Sequence, residues 1–134
     1  MINDEKIVKR IIKLATNIVN TVLEEIKHSQ ETVLKMSLLK SIQNTKNKES
    51  QQKDLTLLKK RFPQDMILLQ MVENYIENKA GSIIEINKTI KNFEKIFDNS
   101  TYELERLKTI LSKYYPQENK LIKGLDVYLK VLAK

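Results

Sequence analysis

The only histidine of the chain, His28, follows Glu25 in a Glu-x-x-His spacing, which places both side chains on one face of a helix. Di-iron bundles bind their metals with two such motifs and two further carboxylates from other helices. A chain with one histidine cannot supply the second motif. We therefore interpret His28 as a solvated side chain at the end of a helix.

Other residue types that perform catalysis are missing or badly spaced. The chain has no cysteine, which excludes a disulfide framework, a cysteine zinc site and a cysteine nucleophile. Without a second histidine or a glycine-rich phosphate loop, nucleophilic triads and Walker-type sites are also excluded. Carboxylates such as Glu103 and Glu105 lie on different helical faces. The sequence predicts a protein that is not an enzyme, with no catalytic residues, metal ligands or cofactors.

The basic surplus of the chain raises nucleic-acid binding as an alternative function. The formal net charge of +7 is divided as +4, 0 and +3 over residues 1–48, 49–80 and 81–134, with acidic and basic residues interspersed. Only three of the 24 basic residues are arginine, whose bidentate fork is favoured for reading base edges. The candidate phosphate contacts are Lys59, Lys60 and Arg61 beside Pro63, and Lys6, Lys9, Arg10 and Lys13 in the first helix.

Composition favours an all-α fold. Two glycines and two prolines are too few for the frequent turns of an all-β protein, whereas the lysine, glutamate, leucine and isoleucine content suits helices. We predict a single all-α domain over residues 1–134, arranged as a five- or six-helix bundle or short helical array. No stretch of 18 apolar residues and no uninterrupted signal-peptide core occurs, so we expect a cytoplasmic protein unless a partner exports it.

The first segment has the strongest helical pattern. Its apolar side chains occupy one half of a helix and its lysines and other polar residues occupy the other half. Asn3 is the candidate N-cap. Such a wide apolar face predicts packing against two neighbours, although an amphipathic helix lying on a membrane surface would have the same pattern. Whether residues 4–42 form one helix or two, with a bend near His28 and Ser29, stays open.

Residues 43–54 contain no apolar side chain. Burial therefore cannot offset the conformational entropy that this segment would lose on ordering. We predict an exposed, mobile loop here, which is also the best candidate for proteolytic cleavage.

Prolines, a glycine and capping residues divide the rest of the chain into helices. A short helix should end before Pro63, which suits the first turn of the next helix, and Gly81 should end that helix. Capping boxes at residues 82–85 and 100–103 predict two further helices, separated by a turn at residues 98–99. Pro116 precedes the last helix.

The two prolines mark a predicted internal repeat of a helix, a proline turn and a helix. A shift of 53 residues aligns residues 56–76 with residues 109–129, and seven of the 21 positions are identical. The aligned pairs include Phe62 with Tyr115 and Tyr75 with Tyr128. A duplication would place an aromatic side chain before each proline, where it fills the corner between the two helices. Alternatively, any two amphipathic helix pairs with a proline turn would have similar sequences.

Gly124 is predicted to lie inside the last helix, where glycine costs about 1 kcal/mol relative to alanine. A glycine at such a position indicates either a close crossing with a neighbouring or partner helix, or drift at an exposed site.

Without catalytic chemistry, the sequence predicts a module that binds another protein. An adaptor, a secretion-type chaperone, an immunity or inhibitor protein and a subunit of a larger complex all fit, and homodimerisation is equally open. Binding to nucleic acid is the alternative, and a membrane surface is the partner we expect least. The candidate partner contacts are Phe62, Tyr75, Tyr115, Gly124 and Tyr128.

Overall fold

The computed structural model describes residues 4–133, without the side chains of residues 4, 11, 12 and 15. Every regular element in this part of the chain is an α-helix, which confirms the all-α class. The helices are α1 (Asp4–Asn44), α2 (Lys48–Arg61), α3 (Met66–Ile76), α4 (Ser82–Tyr114) and α5 (Asn119–Leu132). None of these described helices is long and apolar enough to cross a membrane. The predicted N-cap at Asn3 lies outside the described residues.

The chain divides into two compact units. The central unit consists of Gln30–Phe97, and the terminal unit combines Met1–Ser29 with Asp98–Lys134. Each unit has a hydrophobic core made of its own residues. The single domain and the bundle or array arrangement of the whole chain stay predictions.

The central unit is built around the helix pair α2 and α3. The two helices pack against each other and share one core with the parts of α1 and α4 in this unit. Each helix contributes apolar residues at spacings of three and four, which lie on one helical face. The large side chains that are fully buried in this core are Leu39, Ile42, Leu58, Val72 and Ile86.

The predicted loop over residues 43–54 is wrong for most of its length. α1 continues to Asn44 and α2 begins at Lys48, so the connection has three residues. Asn47 caps α2 with its side-chain oxygen, which accepts hydrogen bonds from two backbone N–H groups at 2.9 and 3.2 Å. Polar residues in this segment therefore stabilise a helix end.

Gln51 orders the same segment from inside the unit. Its side chain is buried, and its Nε2 group donates to the carbonyl oxygens of Ile42 at 3.1 Å and Thr45 at 3.0 Å. The last carbonyls of a helix have no intrahelical partner. Gln51 on α2 therefore satisfies acceptors at the C-terminal end of α1.

α3 is shorter at both ends than the sequence predicts. Pro63 lies in the turn before the helix and not in its first turn, since α3 begins at Met66. The helix ends at Ile76, well before Gly81, because Asn78 already adopts the left-handed conformation with φ 58°. Asparagine tolerates this region better than most residues.

The terminal unit contains α5 together with parts of α1 and α4. Its core consists of Val22, Leu104, Leu107, Leu111, Leu125 and Leu129. Two hydrogen bonds join residues far apart in the sequence. Ser100 Oγ donates to Glu25 Oε1 at 2.6 Å, and Tyr128 Oη donates to Ser29 Oγ at 2.9 Å.

The predicted turn at residues 98–99 and the second capping box at residues 100–103 are wrong, because α4 continues through both. Aspartate and asparagine have only modestly unfavourable helix propensities, which tertiary packing can override. Ser100 is buried within α4. Glu103 forms an ion pair with Arg106 one turn later, and the hydrogen bond from Arg106 lowers the pKa of the Glu103 carboxyl.

α1 is one continuous helix, so there is no break near His28, and this histidine does not lie at a helix end as predicted. The residues of its apolar face that pack against the terminal core are Ile18, Val22 and Ile26. All described side chains of residues 5–17 are exposed, and the large apolar ones are Ile7, Val8 and Leu14. The predicted packing of this face against two neighbours is therefore wrong for the described side chains of that stretch.

Candidate functional site

The first proline corner joins α2 to α3 in the central unit. α2 ends at Arg61, because the residue before a proline is restricted to non-helical conformations. The N–H of Phe62 donates to the carbonyl of Leu58 at 2.8 Å, and the N–H of Asp65 donates to the carbonyl of Phe62 at 3.2 Å. Asp65 then caps α3 by accepting a hydrogen bond from the N–H of Leu68 at 3.4 Å.

The second corner has the same hydrogen bonds 53 residues later, in the terminal unit. The N–H of Tyr115 donates to the carbonyl of Leu111 at 2.8 Å, and the N–H of Glu118 donates to the carbonyl of Tyr115 at 3.0 Å. The two prolines thus end their helices in the same way. Because the local restrictions of proline are sufficient to produce this pattern, the internal repeat stays a prediction.

An ion pair between helices accompanies each corner. Lys59 Nζ lies 2.8 Å from Glu73 Oε1 in the central unit, and Lys108 Nζ lies 2.7 Å from Asp126 Oδ1 in the terminal unit. Hydrogen bonds from Lys108 and Lys130 lower the pKa of the Asp126 carboxyl. Glu73 and Asp126 are also 53 residues apart, so the same position binds a lysine of the preceding helix in both units.

The aromatic residues predicted as partner contacts are half-buried. Phe62 and Tyr75 pack against the central core, and Tyr115 and Tyr128 pack against the terminal core. The Phe62 ring centroid also lies 4.6 Å from Nζ of Lys35. These rings contribute to the two cores, and their role as partner contacts stays a prediction.

Gly124 lies on α5 in open surroundings. A Cβ atom added to it would meet no heavy atom within 4 Å, apart from its own helix backbone and chain neighbours. The predicted close crossing between α5 and another described helix of this chain at Gly124 is therefore wrong. A crossing with a partner helix stays a prediction.

We expect Gly124→Ala to raise the free energy of unfolding by about 0.5–1 kcal/mol, because alanine is the better helix former where space is open. Thermal unfolding monitored by circular dichroism measures this change. A lower melting temperature than that of the unchanged protein would contradict the expectation and would indicate a close neighbour in solution.

His28 does not belong to a cluster of metal-ligating residues among the described side chains. Within residues 4–133, no group of three or more histidine, cysteine, aspartate or glutamate residues could hold a metal ion. His28 is exposed on α1, and Glu25 accepts the hydrogen bond from Ser100.

Among the described side chains, carboxylates lie beside some of the candidate phosphate contacts. Lys59 is paired with Glu73, and Lys9 Nζ lies 3.9 Å from Glu5 Oε1. All seven candidates are exposed: Lys6, Lys9, Arg10 and Lys13 in the terminal unit, and Lys59, Lys60 and Arg61 in the central unit. The candidate basic residues therefore belong to two different units.

An apolar groove runs between α3 and α4 in the central unit, with a volume of about 570 Å³. Its lining residues are Met66, Ile67, Gln70, Met71, Asn74, Glu85, Lys88 and Thr89. Met66 and Ile67 are 69% and 87% exposed, although both are large and apolar. Met71 is buried in the core of the unit, and Thr89 Oγ1 lies 3.1 Å from its sulfur. We call this feature the α3–α4 groove.

Three exposed lysines follow the groove along α4. Lys88, Lys91 and Lys95 line a second depression together with Thr89 and Asn92. Their spacing of three and four residues places them on one face of the helix, which we call the lysine stripe. Ile84, 72% exposed, lies one turn before Lys88 on the same face.

The sequence did not identify the α3–α4 groove as a candidate site. The only signal in the sequence is that α3 has apolar residues outside its core-facing side, at Met66 and Ile67.

Comparisons with protein-family models, with curated proteins and with solved structures each found no match.

Proposed function

We propose that the protein is a non-enzymatic module that binds another protein, as an adaptor, a chaperone, an immunity or inhibitor protein or a subunit of a complex, and that the α3–α4 groove is its binding surface. The observation that carries this proposal is the pair of exposed apolar side chains at the groove, Met66 and Ile67. Adjoining apolar side chains exposed beside a concave surface are typical of interaction sites.

The energetics of burial favour a partner at this position. Ile67 alone would contribute about 1.5–3 kcal/mol if a partner covered it completely. The groove has helices on both sides, and such grooves bind amphipathic helices through side chains spaced by three, four and seven residues. Gln70 and Asn74 add hydrogen-bonding groups to the lining.

The alternative, nucleic-acid binding, rests on electrostatics alone. The ion pair of Lys59 with Glu73 weakens the predicted contact region beside Pro63. Phosphates would also leave the apolar side chains of the groove exposed. Retention on DNA or RNA at low salt that is lost on raising the salt concentration would favour the alternative over protein binding.

The test is affinity capture from the native organism with three forms of the full chain. Ile67→Asp places a charge in the groove, and Ile83→Asp is the matched control. Ile67 and Ile83 both lie in the first turn of a helix in the central unit and are 87% and 64% exposed, but Ile83 does not line the groove.

We expect the unchanged chain and Ile83→Asp to capture the same partner protein in similar amounts. With Ile67→Asp as the bait, recovery of that partner should fall about tenfold or more, as expected for loss of a central apolar anchor. Equal recovery by all three forms would contradict binding through the α3–α4 groove.

A further inference from the structure

We infer that the α3–α4 groove accepts an acidic amphipathic helix of the partner protein, with its apolar side against Met66, Ile67 and Met71 and its carboxylates against the lysine stripe. This inference rests on the proposed function and specifies the chemistry of the partner.

The apolar groove and the lysine stripe form one continuous surface. Lys88 and Thr89 line both the groove and the neighbouring depression. Lys88 and Lys95 are seven residues apart, which is about 10 Å along the helix axis. A bound helix of three or four turns would therefore span both the apolar part and the basic part.

The lysines of the stripe are unlike several other lysines of the central unit. Lys35, Lys40 and Lys59 each form an ion pair with a carboxylate of the same unit. Among residues 4–133, the ion pairs do not involve the three lysines of the stripe. Like charges one turn apart on a helix repel each other, and carboxylates from a partner would relieve this repulsion.

The described carboxylates of the central unit do not form ion pairs with the lysine stripe. Glu94 lies three residues after Lys91, but its carboxylate is paired with Lys40 at 3.5 Å. Among the described residues, Glu85 is the acidic one that lines the groove, and it lies one turn before Lys88, at the far end from Lys95. The groove and the stripe together carry three positive charges and one negative charge.

An acidic helix satisfies both parts of this surface. Its apolar residues cover the exposed side chains of α3, and its glutamates or aspartates meet ammonium groups that tolerate many geometries. A polyanion without apolar side chains would satisfy the stripe alone. A neutral helix would satisfy the groove alone.

The test is a selection from a displayed library of 18-residue peptides that have a fixed leucine pattern at i, i+3, i+4 and i+7 and random residues at the flanking positions. The full chain is the bait, and binders that also bind Ile67→Asp are removed. We expect the enriched peptides to have acidic flanks. Neutral or basic flanks, or no enrichment, would overturn the inference.

The selected peptide is then measured by fluorescence anisotropy against two triple variants of equal charge. Lys88→Glu/Lys91→Glu/Lys95→Glu changes the stripe, and Lys113→Glu/Lys120→Glu/Lys123→Glu changes three exposed lysines of the terminal unit. We expect the stripe variant to bind about tenfold or more weakly, as the sum of three exposed charge pairs, and the control to bind unchanged. Equal binding by both variants would overturn the inference.

The two proposals fail in different ways. A partner lost with Ile67→Asp but retained by the stripe variant would leave groove binding intact and would exclude the acidic helix. Duplex DNA or phosphatidylserine vesicles that bind the unchanged chain more tightly than the selected peptide, and lose binding with the stripe variant, would assign the stripe to phosphates and overturn the inference.

Discussion

Leu58→Ala is expected to lower the free energy of unfolding by about 2–5 kcal/mol, the range for removing a fully buried leucine side chain from a core. Leu58 lies in the central core, and its carbonyl accepts the hydrogen bond that ends α2 at the first corner. The cavity left by alanine would lie in a core to which α1, α2, α3 and α4 all contribute. Urea unfolding followed by circular dichroism measures the change.

The neighbouring residue provides the control for this prediction. Leu57 is 41% exposed on the same helix, and Leu57→Ala removes the same atoms from a surface position. We expect a loss below about 1 kcal/mol there, because little apolar area returns to water. Equal losses for the two substitutions would contradict the position of α2 in the core.

Gln51→Leu is expected to lower the free energy of unfolding by about 1–3 kcal/mol, because it removes the donor to two backbone carbonyls at the end of α1. Leucine has a similar size and a higher helix propensity, so packing and propensity alone would predict little loss. The same urea unfolding experiment measures the effect. Amide hydrogen exchange would also show faster opening around residues 42–51.

Gln52→Leu is the matched control, since Gln52 is the next residue of α2 and is exposed. We expect it to leave the free energy of unfolding within about 0.5 kcal/mol of the unchanged protein, as for most surface substitutions. If Gln51→Leu were equally neutral, residues 43–54 would be loosely attached, as the sequence predicts, and the capping role of Gln51 would be wrong.

The helical class and the two proline corners were accessible from the sequence because both depend on local chemistry. Composition sets the helix propensity along the chain, and proline restricts its own φ angle and the residue before it. The helices before Pro63 and Pro116 accordingly end with matching hydrogen bonds. Local chemistry did not predict where Pro63 lies relative to the next helix. α3 begins three residues after Pro63, so this proline precedes the helix and is not in its first turn.

The errors in the predicted fold have a common cause. Residues 48–54 are helical although most of them are exposed. Gln51 is buried in this segment and Asp54 is half-buried. Residues 98–103 continue α4 although they contain a capping pattern. In each case a polar side chain finds a partner outside its own helical segment: Gln51 bonds to Ile42 and Thr45 across the connection between α1 and α2, and Ser100 bonds to Glu25, 75 residues away. A local pattern carries no information about such partners.

The candidate site was the least accessible feature. Met66 and Ile67 are apolar residues in a mostly apolar helix, so composition alone does not separate them from the residues that face the core. The exposure of these two side chains follows from the packing of α3 in the folded unit, where Leu68, Leu69 and Val72 are buried in the core. The spacing of the three lysines can be read from the sequence. Only the structure shows that they lie beside an apolar groove, which is why we propose that they contact a partner.

By itself the sequence determined that this protein is helical, that two of its helices end before a proline, and which residue types are present for chemistry. The tertiary structure decided that α1 and α4 are continuous, that a polar segment is ordered as a helix, and that Met66 and Ile67 remain exposed beside three lysines. The physical reason is the distance along the chain over which each effect acts. Propensity and proline geometry act over a few residues, whereas burial and the pairing of polar groups depend on residues that only the folded chain brings together.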